Sequence, residues 1–149
     1  MSRSSFLSVT DTFGPALSSA VSKGQDKLSK VQDKNATLVQ ANIIKGIRSQ
    51  KYKSGWPELS EATKERKEKQ GKSPLTLIED GDYSASYEIV TIDDSTTIVG
   101  TNSIQARALE RGFETKNIPA RPHVGPALED SKERIIQNFK EAMREIFQK

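Results

Sequence analysis

A chain of 149 residues is the length of one domain, and 34% hydrophobic, 29% charged and 6% aromatic residues make a lean supply for a core that completes itself. With no cysteine, disulfide scaffolds, thiolate metal sites and cysteine nucleophiles are excluded, and the single histidine, His123, leaves no His-rich metal site. A net charge of +3 is only mildly basic, the first residues lack the apolar run of a secretory signal, and no stretch approaches the ~18 apolar residues of a membrane span, so a soluble, cytoplasmically made protein is expected.

The expected fold is α+β: one domain with a mainly helical region 1–52, a middle region 53–126 and a C-terminal helix within 127–149. From Phe13 to about Tyr52, apolar residues from Leu17 and Val21 to Ile44 and Ile47 recur at three- and four-residue spacing, which predicts a long helix. Gly24 predicts a break or kink in it, because glycine costs about 1 kcal/mol relative to alanine in a helix. After Gly55 and Trp56-Pro57, Ser60 is placed to cap a short charged helix over Glu61 to about Gln70, ended by Gly71. That helix has almost no apolar face and is expected to lie exposed or partly unstructured. Tyr83 to Ile92 and Thr96 to Thr101 alternate and are β-branched, predicting two strands joined at Asp93-Asp94-Ser95 in a small antiparallel hairpin. Ile104 to Arg111 predicts a short helix closed by Gly112, and Ile118 to Pro126, with three prolines, an extended loop. Ala127 to Phe147 reads as an amphipathic helix with Leu128, Ile135, Ile136, Phe139, Ala142, Met143, Ile146 and Phe147 on one face.

Catalytic and ligand motifs fail on spacing. Gly71-Lys72-Ser73 imitates the end of a phosphate-binding loop, but Arg66 stands where its first glycine belongs. Asp80, Asp82 and Glu88 would require glycine at Ala85 and glutamate at Thr91 to form a calcium loop. Asn35-Ala36-Thr37 fits a glycosylation sequon with no secretory signal to give it meaning. No nucleophile elbow or carboxylate pair surrounds His123, whose expected role is structural or a contact. No catalytic residue, cofactor or metal site is expected.

Charge is segregated. Lys45 to Lys72 holds nine bases against four acids, whereas Ser73 to Pro126 holds eight acids against four bases. Either these are solvated faces, or head-to-tail copies use them to find each other. The run Lys64 to Lys69 is interleaved with Glu65 and Glu68 and has no aromatic neighbours, which fits a solvated helix better than a nucleic-acid contact.

Read together, Trp56-Pro57-x-Leu59-Ser60-x-x-Thr63-x-x-x-Lys67, Pro74-Leu75 with Gly81, the strand end Ile98-Val99-Gly100-Thr101, Glu110-x-Gly112, Ile118-Pro119-Ala120-Arg121-Pro122-x-Val124-Gly125 and the long C-terminal helix resemble the virion-morphogenesis or tail-completion proteins of tailed bacteriophages. The resemblance spans about Gly55 to Phe147. It implies a structural, non-enzymatic protein of the virion neck, made in the host cytoplasm, that forms a homo-oligomeric ring, a hexamer or dodecamer. Such a ring joins the head connector and adaptor proteins to the tail terminator or tube proteins and lines the channel through which DNA passes, with no cofactor and no membrane. Ring contacts are then expected on the hairpin and the Pro-rich loop, with Trp56, Tyr83, Tyr87, Glu110, Arg121, Pro122 and His123 as interface residues and acidic residues of the middle region facing the channel. Trp56 is either an interface aromatic or core, and Arg121 either an interface arginine or an internal hydrogen-bonding hub. The alternative function is a small basic DNA-binding or DNA-packaging accessory factor.

Overall fold

A computed structural model describes residues 13–148; the polar N-terminal stretch before Phe13 lies outside them. The chain is α+β. Helix α1 (Phe13–Arg48) runs antiparallel to the last helix, α5 (Val124–Phe147), and a two-stranded antiparallel hairpin, β1 (Tyr87–Asp93) and β2 (Thr96–Thr101), lies against α1. Between them come α2 (Glu61–Lys69), a single turn α3 (Asp82–Ala85) and α4 (Ala106–Arg111). The core sits where these meet: Ile43 and Ile47 of α1, Tyr87 of β1 and Ala127 of α5, surrounded by Val39, Tyr52, Leu77, Tyr83, Val99 and Val124.

Several elements end where the sequence places them. Ser60 caps α2, its side chain accepting from the Thr63 N–H at 3.3 Å, and Gly71 takes the left-handed conformation that stops it. Asp93 Oδ1 accepts from the N–H and hydroxyl of Ser95 at 2.8 and 2.7 Å, closing the hairpin turn.

Three local expectations are corrected. Helix α1 continues through Gly24 without a break, because Gly24 packs beside Ile146 of α5 and tertiary contact outweighs its low propensity. The first strand begins at Tyr87, four residues later than its alternation suggests. Tyr83 and Tyr87 are spaced for a helix turn as well as for a strand, and Gly81 (φ 91°) turns the chain into α3. Helix α5 begins at Val124, so Gly125 and Pro126 form its first turn, where a missing N–H costs no helical bond.

The seam between α1 and α5 is polar and small. Asn138 Nδ2 donates to Asn35 Oδ1 at 2.7 Å, Asn42 Nδ2 donates to Ser131 Oγ at 2.8 Å, and Lys27 pairs with Glu145. The buried residues of α5 are Ala127, Ser131, Asn138 and Ala142. Its long apolar side chains do share one face, as periodicity requires, yet much of that face is open: Ile136 is 53%, Phe139 36%, Met143 42% and Phe147 76% exposed.

Candidate functional site

Three segments far apart in sequence close into one clasp around the start of α5. Trp56 Nε1 donates to the Pro122 carbonyl at 2.7 Å. Arg121 reaches back to the same segment, its Nε and Nη2 donating to the Pro57 and Glu58 carbonyls at 3.3 Å each, while its backbone N–H donates to Leu109 O at 2.7 Å. From α4, the Glu110 carboxylate accepts three successive N–H groups: His123 at 2.8 Å and Val124 at 3.0 Å on Oε2, Gly125 at 2.9 Å on Oε1. These are donors that the first turn of a helix cannot satisfy internally, at the positive end of its dipole. His123 supplies no side-chain cap of its own, so a carboxylate from a different helix does that work. Gly112 makes the approach possible: at φ 80°, a Cβ there would stand 3.0 Å from Ala120 N and 3.2 Å from Ile118 O.

His123 is fully buried at the centre. Nδ1 lies 2.8 Å from the Arg121 carbonyl, which only accepts, so the proton sits on Nδ1. Nε2 lies 2.8 Å from both the Tyr83 and the Tyr87 hydroxyls, which are themselves 3.0 Å apart, and the three rings pack edge-to-face. Burial raises the pKa of both tyrosines, so they remain protonated donors. For Glu110, burial pushes the carboxyl up, but the backbone N–H groups of Gly125, His123 and Val124 bring it below its ordinary value. Both ring nitrogens of His123 are engaged within the chain, leaving the imidazole no open position for a substrate.

All seven residues expected at an interface meet in this clasp. Trp56, Tyr87, Arg121 and His123 are buried in it, and Tyr83, Glu110 and Pro122 partly so. For Trp56 and Arg121 the structure therefore supplies the intramolecular partners of their second alternative. The clasp ties the base of β1, through Tyr87, to the first turn of α5.

Lys67 stands both in the motif that begins at Trp56 and in the charged run from Lys64 to Lys69. Read as part of a solvated run, it is instead buried, and Nζ donates to the carbonyls of Ser73, Leu75 and Ile78 at 2.9, 2.7 and 2.6 Å. Gln50 completes the wrap by exchanging two hydrogen bonds with the Thr76 backbone, at 2.8 and 3.1 Å. Interleaved charges give no sign of this, because the partners are carbonyls of a loop that leaves no trace in side-chain pattern. Beside it opens a cleft of about 730 Å³ whose lining includes Thr63, Arg66, Lys67, Tyr83 and Arg121.

The apolar surface is the second feature. A groove of about 300 Å³ between α1, β2 and α5 is lined by Ala36, Val39, Val99, Leu128 and Phe139, and two polar atoms in its lining residues, Asn35 Nδ2 and Thr97 Oγ1, have no partner among the described residues. On the hairpin, Val90 stands directly opposite Ile98, and both are about half exposed, with Ile92 next to them at 60%. Among the described residues no cluster of three or more acidic or histidine side chains is placed to hold a metal ion, and no helix is long and apolar enough to cross a membrane.

No protein-family model matches the chain, and no solved structure matches it. Over 93 residues it is 34% identical to the uncharacterized protein MJ0331 of Methanocaldococcus jannaschii, an alignment covering 60% of this chain and 67% of the archaeal one.

Proposed function

We propose that this chain, which belongs to the family of the archaeal protein MJ0331, is a non-enzymatic structural subunit of a tailed-virus particle that assembles with copies of itself into a ring at the head–tail neck. The observation that carries the proposal is the open apolar face of α5, with a second exposed apolar patch, Val90, Ile92 and Ile98, on the hairpin. A lean chain has spent polar residues on its internal helix seam and left long apolar ones outside, which suits a subunit whose surface is completed by neighbours. The clasp supports it from within. By fixing the base of β1 to the first turn of α5, it holds the two apolar faces at a constant relative orientation, as repeated identical contacts around a ring require. Of the motif residues that resemble tail-completion proteins, Trp56, Pro57, Glu110, Gly112, Arg121, Pro122, Val124 and Gly125 take part in this clasp, which supports a mechanical role for it.

The test is quantitative mass spectrometry of density-purified particles from the virus or provirus that encodes the chain. A fixed low copy number, comparable to that of the portal, is expected; absence from intact particles would overturn the neck assignment. In parallel, Ile136→Ser with Phe147→Ser is expected to abolish self-association in sedimentation while leaving the unfolding midpoint nearly unchanged, since both side chains are already more than half exposed.

A further inference from the structure

All six bases of α1 — Lys23, Lys27, Lys30, Lys34, Lys45 and Arg48 — lie within about 60° of one another around the helix axis, at 3.6 residues per turn. They extend over about 38 Å at 1.5 Å per residue. The only other residues in that arc are Ala16 and Ala41, and the two acids of α1, Asp26 and Asp33, fall outside it. The arc lies opposite the side on which Ile43 and Ile47 enter the core. Lys23, Lys30, Lys34 and Lys45 are exposed and make no ion pair with any described residue; Lys27 pairs with Glu145, and exposed Arg48 touches Ser84 Oγ at 3.3 Å. The N-terminal half of α1 is exposed on most sides, so solubility alone does not require its lysines to share one line.

We infer that this line of cations is a contact for the phosphate backbone of double-stranded DNA, read without regard to sequence. A straight cationic edge of this length suits a linear polyanion that releases counterions at each contact. The arc carries no aromatic side chain on which single-stranded bases could stack. Nor does it carry the long apolar residues with which a surface helix enters a bilayer. Among the described residues the one ion pair made with this line is that of Lys27 with Glu145. The inference also places the DNA contact on α1 and not on the acidic middle region, which the line meets at its end, where Arg48 touches Ser84. It is separate from ring formation, which uses the apolar faces, so the two can fail independently.

The experiment is fluorescence anisotropy of the free chain with a mixed-sequence duplex of about 24 bp. The five cations other than Lys27 predict a slope of about −4.5 in log K against log salt, or roughly 500-fold weaker binding from about 50 to about 200 mM. Lys23→Gln with Lys30→Gln and Lys34→Gln is expected to bring the slope to about −1.8 and the salt effect to roughly 12-fold, with helix content unchanged by circular dichroism. Lys64→Gln with Lys69→Gln on α2 is the control and leaves the slope intact. The inference is overturned if the α1 variant keeps the full slope, if the α2 variant loses as much, if no salt-dependent binding is found, or if the chain prefers phosphatidylserine vesicles to duplex.

Discussion

Replacing Glu110 by glutamine tests the clasp with least disturbance of shape. The carboxylate accepts three N–H groups at the start of α5 from outside the helix. A side-chain cap is worth about 1 kcal/mol, and a negative charge at a partly buried helix N-terminus adds up to about 1–2 kcal/mol. Glu110→Gln retains part of the first contribution and loses the second, for an expected loss of about 1–2 kcal/mol at neutral pH. Glu110→Ala, which leaves His123 and Val124 N–H without an acceptor, should cost about 2–3 kcal/mol. Urea unfolding followed by circular dichroism would read these as lower midpoints with unchanged slope. The carboxyl is more acidic folded than unfolded, so the folded state binds fewer protons and the stabilisation is present above the ordinary glutamate value of 4.5. It is lost as the pH falls through the lower folded value, and the gap between wild type and Glu110→Gln should close there. A glutamine variant as stable as wild type at pH 7, or a gap that persists in acid, would refute the capping role.

Trp56→Phe keeps the ring in place and removes the donor to the Pro122 carbonyl; a loss of about 1 kcal/mol is expected, read by denaturant unfolding. Asn138→Leu alone strands Asn35 and should cost about 1–3 kcal/mol, whereas Asn35→Leu with Asn138→Leu should be neutral or stabilising, since each amide already has one atom without a partner among the described residues. Thermal melts of the two variants distinguish these outcomes. Lys67→Met leaves the carbonyls of Ser73, Leu75 and Ile78 without their common donor, and faster hydrogen exchange over residues 73–78 should precede any global loss of stability.

What the sequence made legible is what local rules decide. The two long helices follow from periodicity, α2 from Ser60 and Gly71, and the hairpin from β-branched runs around Asp93-Asp94-Ser95. The misses lie where one pattern serves two structures, as with Tyr83 and Tyr87, or where the partner is remote. Asn35 and Asn138 are 103 positions apart, and Trp56 and Pro122 are 66 apart; nothing near either residue announces the other. Whether a buried aromatic or arginine such as Trp56 or Arg121 faces its own chain or a neighbour is decided by tertiary closure, which composition does not encode. The burial of Lys67 is decided the same way, by loop carbonyls that no side-chain pattern marks.

The helix seam has a consequence for how α1 and α5 recognise each other. Asn35 and Asn42 are seven residues apart on one helix, and Ser131 and Asn138 are seven apart on the other, so the two hydrogen bonds act as paired keys. Sliding either helix by one turn, about 5.4 Å, would break both at once and leave the buried amides of Asn35 and Asn138 without each other, at about 1–3 kcal/mol each. A greasy seam would tolerate such slippage and would compete with the helices of neighbouring copies. By keying the internal pairing with amides and a hydroxyl, the chain can export its sticky residues to the outside without losing track of which helix is its own.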